Sequence, residues 1–200
     1  MTHDTNPTRP RIIVGISGAS GAVYGLRLLE VLRDLKVETH VMLTKSGALT
    51  LEYETGLKPE AVKALADHFH AIGDMGAACS SGSFRTLGMI VAPCSMKSLA
   101  EIATGATTTL LTRSADVCLK ERRRLVLMVR ETPLTAIHLR NMLTVTEAGG
   151  IIAPPVPAFY SRPESLDDLV DHSVARVLDL FGLDGGRLKR WGEAEATAKR

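Results

Sequence analysis

Five short apolar runs, at residues 12–16, 39–43, 89–92, 125–129 and 151–153, recur along the chain with segments of helical spacing between them. The runs are continuous rather than alternating in polarity, which is the pattern of strands buried on both faces of a parallel sheet. Helical spacing is found at 23–35, 47–55, 59–67, 99–103, 110–120 and 134–148. A last helix is expected from 165 to 181, with Ser165 as its N-cap and Asp167 and Asp168 in its first turn. This order predicts an α/β fold: a doubly wound parallel sheet in a Rossmann-like or flavodoxin-like three-layer domain. The 200 residues, 45% of them apolar, suit one such domain. Residues 1–10 are polar and aperiodic and are expected to be a mobile leader. Residues 11–182 form the domain, and 183–200 a tail that docks near the active site or on a neighbouring subunit.

In sheets of this kind ligands bind beyond the carboxyl ends of the strands, so the residues after each strand carry the functional reading. After the first comes GISGASG at 15–21, a glycine turn leading into a helix whose N-terminus favours an anion. Ser17 stands where a dinucleotide fingerprint needs its second glycine, and no ribose-binding carboxylate follows the second strand, so a mononucleotide fits better than NAD. A turn required only for packing is the competing account. After the third strand, PCSMKS at 93–98 offers Ser95 as a helix cap, either for the helix alone or for a ligand. After the fourth, Arg130 adjoins Glu131, and an arginine there can hold a phosphate through two parallel hydrogen bonds. Arg113 and the KERRR run at 120–124 are the densest charge, a pattern usual for solvated helix ends. Residues 71–85, rich in Gly, Ser and Ala, read equally as a lid or as a connector.

Several classes are excluded. Net charge is only +2 and aromatics are 4% of residues, so no basic, stacking nucleic-acid surface is expected. No apolar run reaches the roughly 18 residues needed to span a bilayer, and the N-terminus lacks a secretory signal, so no membrane partner and a cytoplasmic location are expected. Cys79, Cys94 and Cys118 form no C-x-x-C pair and are assigned to packing. His68 and His70 are placed on different faces of a helix with no third ligand, so no metal is expected. No G-x-S-x-G spacing supports a serine hydrolase.

Taken together, GISGASGAVYG at 15–25, APCSMKS at 92–98, ADVCLKERR at 115–123, VRETP at 129–133 and PPVPAFY at 154–160 resemble the flavin prenyltransferases of the UbiX type, over about residues 11–192. The resemblance implies an enzyme that joins a dimethylallyl group from dimethylallyl phosphate to N5 and C6 of reduced FMN, without a metal. It also implies a homododecamer that passes prenylated FMN to a UbiD-type decarboxylase, with ubiquinone biosynthesis the leading destination. It puts Gly18, Ala19, Ser20, Thr44, Ser95, Met96, Lys97, Ser98 and Arg130 on FMN. Thr44 replaces a serine of the relatives and keeps the hydroxyl. Lys120, Glu131, Tyr160 and Arg176 would gather the allyl phosphate, with Ser83 and Arg113 near it and some of these supplied by neighbouring subunits. Ser20 and Glu54 would manage the proton at N5, and Trp191 would cover the prenyl group.

The chemistry agrees with these residue types. Breaking an allylic C–O bond to phosphate calls for fixed positive charge at the phosphate and a dry surround for the cation. An FMN-dependent cysteine decarboxylase of the phosphopantothenoylcysteine type is the alternative, but its P-x-M-N-x-x-M segment is echoed only by RNML at 140–143, with no preceding proline. A non-catalytic FMN-binding subunit is the other alternative, and it would have no need of a second phosphate site.

Overall fold

The computed structural model describes residues 9–185, and within them the chain builds one six-stranded sheet. Its strands are β1 (Arg11–Ile16), β2 (Glu38–Leu43), β3 (His68–His70), β4 (Gly88–Cys94), β5 (Arg124–Val129) and β6 (Ile151–Ile152). All pairs are parallel, in the order β3-β2-β1-β4-β5-β6. The helices are α1 (Ala22–Asp34), α2 (Lys45–Thr55), α3 (Pro59–Leu65), α4 (Met96–Thr104), α5 (Leu110–Lys120), α6 (Ala136–Glu147) and α7 (Leu166–Asp179).

Continuous apolar strands produce two cores because successive side chains leave opposite faces of the sheet. Ile12, Val14 and Ile16 point to the face covered by α1, α2, α3 and α7. Ile13, Met89 and Val91 meet α4, α5 and α6 on the other. All three cysteines are free and buried, and burial pushes the Cys94 and Cys118 thiols up to about 12, so they serve as packing groups. Side-chain caps start five of the helices: Thr44, Ser95, Thr109, Thr135 and Ser165 each accept from a first-turn N–H.

Two expectations are corrected. Residues 68–70 are not a helical extension but the edge strand β3, in register His40↔His68 with β2. A strand repeats every two residues, so His68 and His70 share a face, where they meet His40 and Glu38. Three residues are too few for a periodicity signal, which is why the strand is invisible in the sequence. Of the expected leader, Arg9 and Pro10 are described and held: the Arg9 guanidinium donates to the Lys36 carbonyl and pairs with Asp67 at 3.0 Å.

The segment 71–85 is stitched down along its length. Ile72 accepts from Leu110 N, Cys79 O from Ser114 Oγ at 3.2 Å, and Ser80 O from Arg113 Nε at 3.2 Å. Arg123 donates to the carbonyls of Gly82 and Phe84. These contacts favour the connector account of the segment over the lid.

Gly25 lets α1 lie against the sheet. A Cβ there would come within 2.5 Å of the Ala92 carbonyl and 2.9 Å of Ile16 Cδ1. Alanine favours helices by up to about 1 kcal/mol over glycine, yet Gly25→Ala is expected to destabilise the domain by about 1–3 kcal/mol through overpacking. The midpoint of urea unfolding measures it, and an unchanged or higher midpoint would count against this packing account.

Candidate active site

The strand order reverses between β1 and β4, since the chain winds outward through β2 and β3 before crossing back. A crevice opens at the carboxyl ends of such a pair, and here the residues after β1, β2 and β4 converge on it. Ser17 joins them. Its hydroxyl, 1% exposed, donates to the Pro93 carbonyl at 2.9 Å and accepts from Ser95 N at 2.8 Å. Its own N–H also reaches the Pro93 carbonyl. Thr44 N donates to Ile16 O, which ties in the start of α2. Gly18 is required there because a Cβ would collide with the Ser46 side chain.

The N-terminus of α1 attracts an anion as expected, but the anion is Glu54 from α2. Its carboxylate accepts from Gly21 N at 2.9 Å and Ala22 N at 2.8 Å. Burial acts to raise its pKa, but hydrogen bonds from Ser20, Ala22 and Gly21, with the nearby charge of Arg130, outweigh this and hold it below the usual carboxylate range. Glu54 thus occupies two of the donors at this helix end, Gly21 N and Ala22 N.

A second candidate anion site is the start of α4. Ser95 Oγ accepts from Ser98 N at 3.3 Å, which leaves the first-turn N–H groups of Met96 and Lys97 to meet a ligand. The Ser95 and Ser98 hydroxyls lie 3.2 Å apart at the same end. Arg130 follows β5, and its N–H is held by the Cys94 carbonyl. Among the described residues no carboxylate forms an ion pair with it. Lys97 instead reaches Glu101 at 2.7 Å on the exposed side of α4. A cavity of about 400 Å³ lies beside this crevice, with Ser20, Tyr24, Glu54 and Arg130 on one side and Pro155, Leu166 and Leu169 on the other. Helix-end donors, an uncommitted guanidinium and an adjoining apolar wall suit a phosphate-bearing planar ligand such as FMN.

The expected site residues fall into three groups. Gly18, Ala19, Ser20, Thr44, Glu54, Ser95 to Ser98, Arg130 and Glu131 belong to the strand-end crevice. Ser83, Arg113 and Lys120 gather around the 78–84 segment, where Gly82 packs against the paired Lys120 and Glu121 side chains. Lys120 closes α5 just before β5 begins, whereas Arg130 follows its end. The length of β5, about 20 Å for six residues, separates the two ends. Tyr160, on the turn Phe159–Ser161, and Arg176 of α7 gather around His172: the Tyr160 hydroxyl is 3.1 Å from His172 Nε2, and Arg176 pairs with Asp179 at 3.0 Å. Burial and then the Arg176 charge lower the His172 pKa. Trp191 lies outside the described residues. Three contributors were missed in the sequence: Ser17, read there only as a departure from a fingerprint, the half-buried Tyr24, and His172. The signal for Ser17 was available, since a polar residue closing a buried strand must find partners.

The Flavoprotein family matches residues 1–178. The mitochondrial flavin prenyltransferase PAD1 of Saccharomyces cerevisiae is 55% identical over 188 residues, covering 94% of this chain and 78% of that protein. A crystal structure of AnUbiX (PadA1) in complex with FMN and dimethylallyl pyrophosphate superposes with a TM-score of 0.91 at 58% identity, covering 92% of this chain and 98% of that one. A dodecameric FMN-dependent UbiX-like decarboxylase from Escherichia coli O157:H7 gives 0.88 at 52% identity, covering 90% and 98%.

Ser17→Ala removes a hydroxyl from a fully buried position and leaves Ser95 N without its acceptor. A loss of about 1–3 kcal/mol in urea unfolding is expected, and a loss below the error of the measurement would show that the bridge carries no load. Glu54 has a depressed pKa when folded, so its contribution is present above the ordinary carboxylate range, near pH 4.3, and is lost as pH falls through the lowered folded value. In Glu54→Gln that part of the acid sensitivity should vanish from a stability-against-pH series, whereas an unchanged acid limb would refute the assignment.

Proposed function

Because the chain belongs to the Flavoprotein family and, within it, to the flavin prenyltransferases of the UbiX type, we propose that its strand-end crevice binds reduced FMN and transfers a dimethylallyl group onto it. The observation that carries this reading is the likeness, over nearly the whole chain, to a structure holding both FMN and a dimethylallyl donor. The crevice found here has the donors and the cation that the flavin phosphate needs.

Reduced FMN supplies N5 and C6, the two atoms to which the allyl group is joined. The residues of the chain do the remainder. The α4 N-terminus, Ser95, Ser98 and Arg130 hold the flavin phosphate, with Gly18, Ala19, Ser20 and Thr44 along the flavin. Lys120, Arg176 and Tyr160, with Arg113 and Ser83 nearby, hold the allyl phosphate and stabilise negative charge as the C–O bond breaks. Glu54, kept ionised at the start of α1 and hydrogen-bonded to Ser20, would take up a proton near N5. Glu131 completes the acidic side of the site and Trp191 its cover.

The separation of Lys120 from Arg130 within one chain supports a site completed by neighbouring copies. So do the exposed apolar side chains Tyr53, Ile137, Leu143, Phe159 and Leu166, which a lone chain would leave in water. A homododecamer, as in the relative from Escherichia coli O157:H7, fits both observations. The product, prenylated FMN, would pass to a UbiD-type decarboxylase, with ubiquinone biosynthesis the destination. No helix among the described residues is long and apolar enough to cross a membrane, and a cytoplasmic location is part of the proposal.

Anaerobic incubation with reduced FMN and dimethylallyl phosphate, followed by mass spectrometry of the released flavin, tests the reading: a flavin heavier by one five-carbon unit is expected, and bound but unmodified FMN would sink it. Tyr160→Phe and Arg176→Ala should leave FMN affinity within about twofold while raising KM for the allyl donor about tenfold or more, the scale of one lost charge-assisted hydrogen bond. Loss of flavin from either variant would undo this division of the site.

A further inference from the structure

At the amino ends of β2 and β3, on the sheet face of the second core, four side chains meet that the flavin chemistry does not use. Glu38 and His40 alternate along β2, and His68 and His70 along β3. With His40 opposite His68, all four leave the same face. Glu38 Oε1 lies 3.1 Å from His40 Nε2 and 3.5 Å from His68 Nε2, and the three atoms fall within 4.8 Å of one another. We propose that Glu38, His40 and His68 form a site for a divalent transition-metal ion of the zinc class, separate from the flavin crevice.

The two spacings from Glu38 are those of a ligand set. Around a tetrahedral zinc ion with bonds of 2.0–2.1 Å, neighbouring ligand atoms stand about 3.3 Å apart, and the two glutamate–histidine distances bracket that value. Two imidazoles and one carboxylate select zinc, cobalt, nickel or copper over magnesium or calcium. His70 provides the outer support that metal-bound imidazoles usually have: its Nε2 is 2.9 Å from His40 Nδ1, so His40 can donate there and turn its Nε2 lone pair toward the ion.

The arrangement without an ion is crowded. Arg11 Nε, at 2.9 Å, joins the two histidine nitrogens around the single oxygen Oε1, so any histidine N–H aimed there competes with the guanidinium for its two lone pairs. An ion among these atoms is met by an imidazole lone pair from each of His40 and His68. His40 and His68 then carry their ring protons on Nδ1, and His70 carries its own on Nδ1 so that its Nε2 accepts from His40; each neutral imidazole keeps one proton, none is released, and Arg11 remains on the carboxylate as an outer partner. Its positive charge opposes the ion and weakens its binding.

His68 is 53% exposed, which leaves the fourth coordination position open to solvent, while His40 is only 7% exposed and fixed between the His68 ring, stacked at 4.5 Å, and the edge of Phe84. Metal occupancy would therefore fasten the three-residue edge strand to β2. Through Phe84 it would also stiffen the 71–85 segment that carries Ser83. The Glu38, His40 and His68 side chains can instead rest as a hydrogen-bonded chain holding protons only, and the experiment separates the two.

The full-length protein, cleared of metal with a chelator and dialysed, is titrated with zinc chloride in a calorimeter, and with cobalt chloride while visible absorption is followed. One ion per chain at micromolar Kd is expected, with a cobalt spectrum of low coordination number and a melting temperature that rises with zinc. His68→Ala, on an exposed edge, and Glu38→Gln should each weaken zinc at least tenfold with an unchanged circular dichroism spectrum. No binding at 100-fold excess, or equal binding by wild type and both variants, would overturn the site.

Discussion

A single hydroxyl, that of Ser17, holds the place on which the ligand site depends. The two halves of the sheet wind away from each other at β1 and β4, so the loops that follow these strands have no ladder of their own to align them. Ser17 supplies what the ladder cannot, donating to the Pro93 carbonyl and accepting from Ser95 N in a region from which water is excluded. Buried polar groups are costly when unpaired and strong when paired. The same bridge therefore fixes where α4 begins, and so where its first N–H groups point.

The crevice separates its charges by committing one helix end and leaving another open. Glu54 saturates the start of α1, which withdraws that dipole from competition for the ligand and keeps a carboxylate ionised beside Ser20. The start of α4, whose Ser95 cap accepts from Ser98 N, is where the proposed phosphate site lies, with Arg130 following the adjacent strand. An ionised carboxylate and a phosphate can thus lie in one crevice without contesting the same donors.

Much of this was legible in the sequence. The apolar runs located five of six strands because parallel strands are buried on both faces, and Ser95 and Ser165 announced helix starts through their side chains. Gly18 was marked as a turn, although what makes it necessary is Ser46, 28 positions further along and unforeseeable from local pattern. The edge strand β3 was too short to show a period, and misreading it as helix scattered histidines that the fold brings together. The destination of Glu54 was equally hidden, since its partners Gly21 and Ala22 lie more than thirty positions back. Local chemistry was readable; which distant groups it would meet was not.

The placement of Lys120 and Arg130 at opposite ends of one strand has a genetic consequence. If each site draws its halves from different copies, two variants that are each inactive, one lacking the cation before β5 and one lacking the cation after it, damage different halves of every site. Chains of the two kinds that assemble together would leave a fraction of sites built wholly from sound parts. Such a protein complements itself between alleles: a defect at Ser17, which lies in the same crevice as Arg130, would be rescued by chains defective at Lys120 but not by chains defective at Arg130.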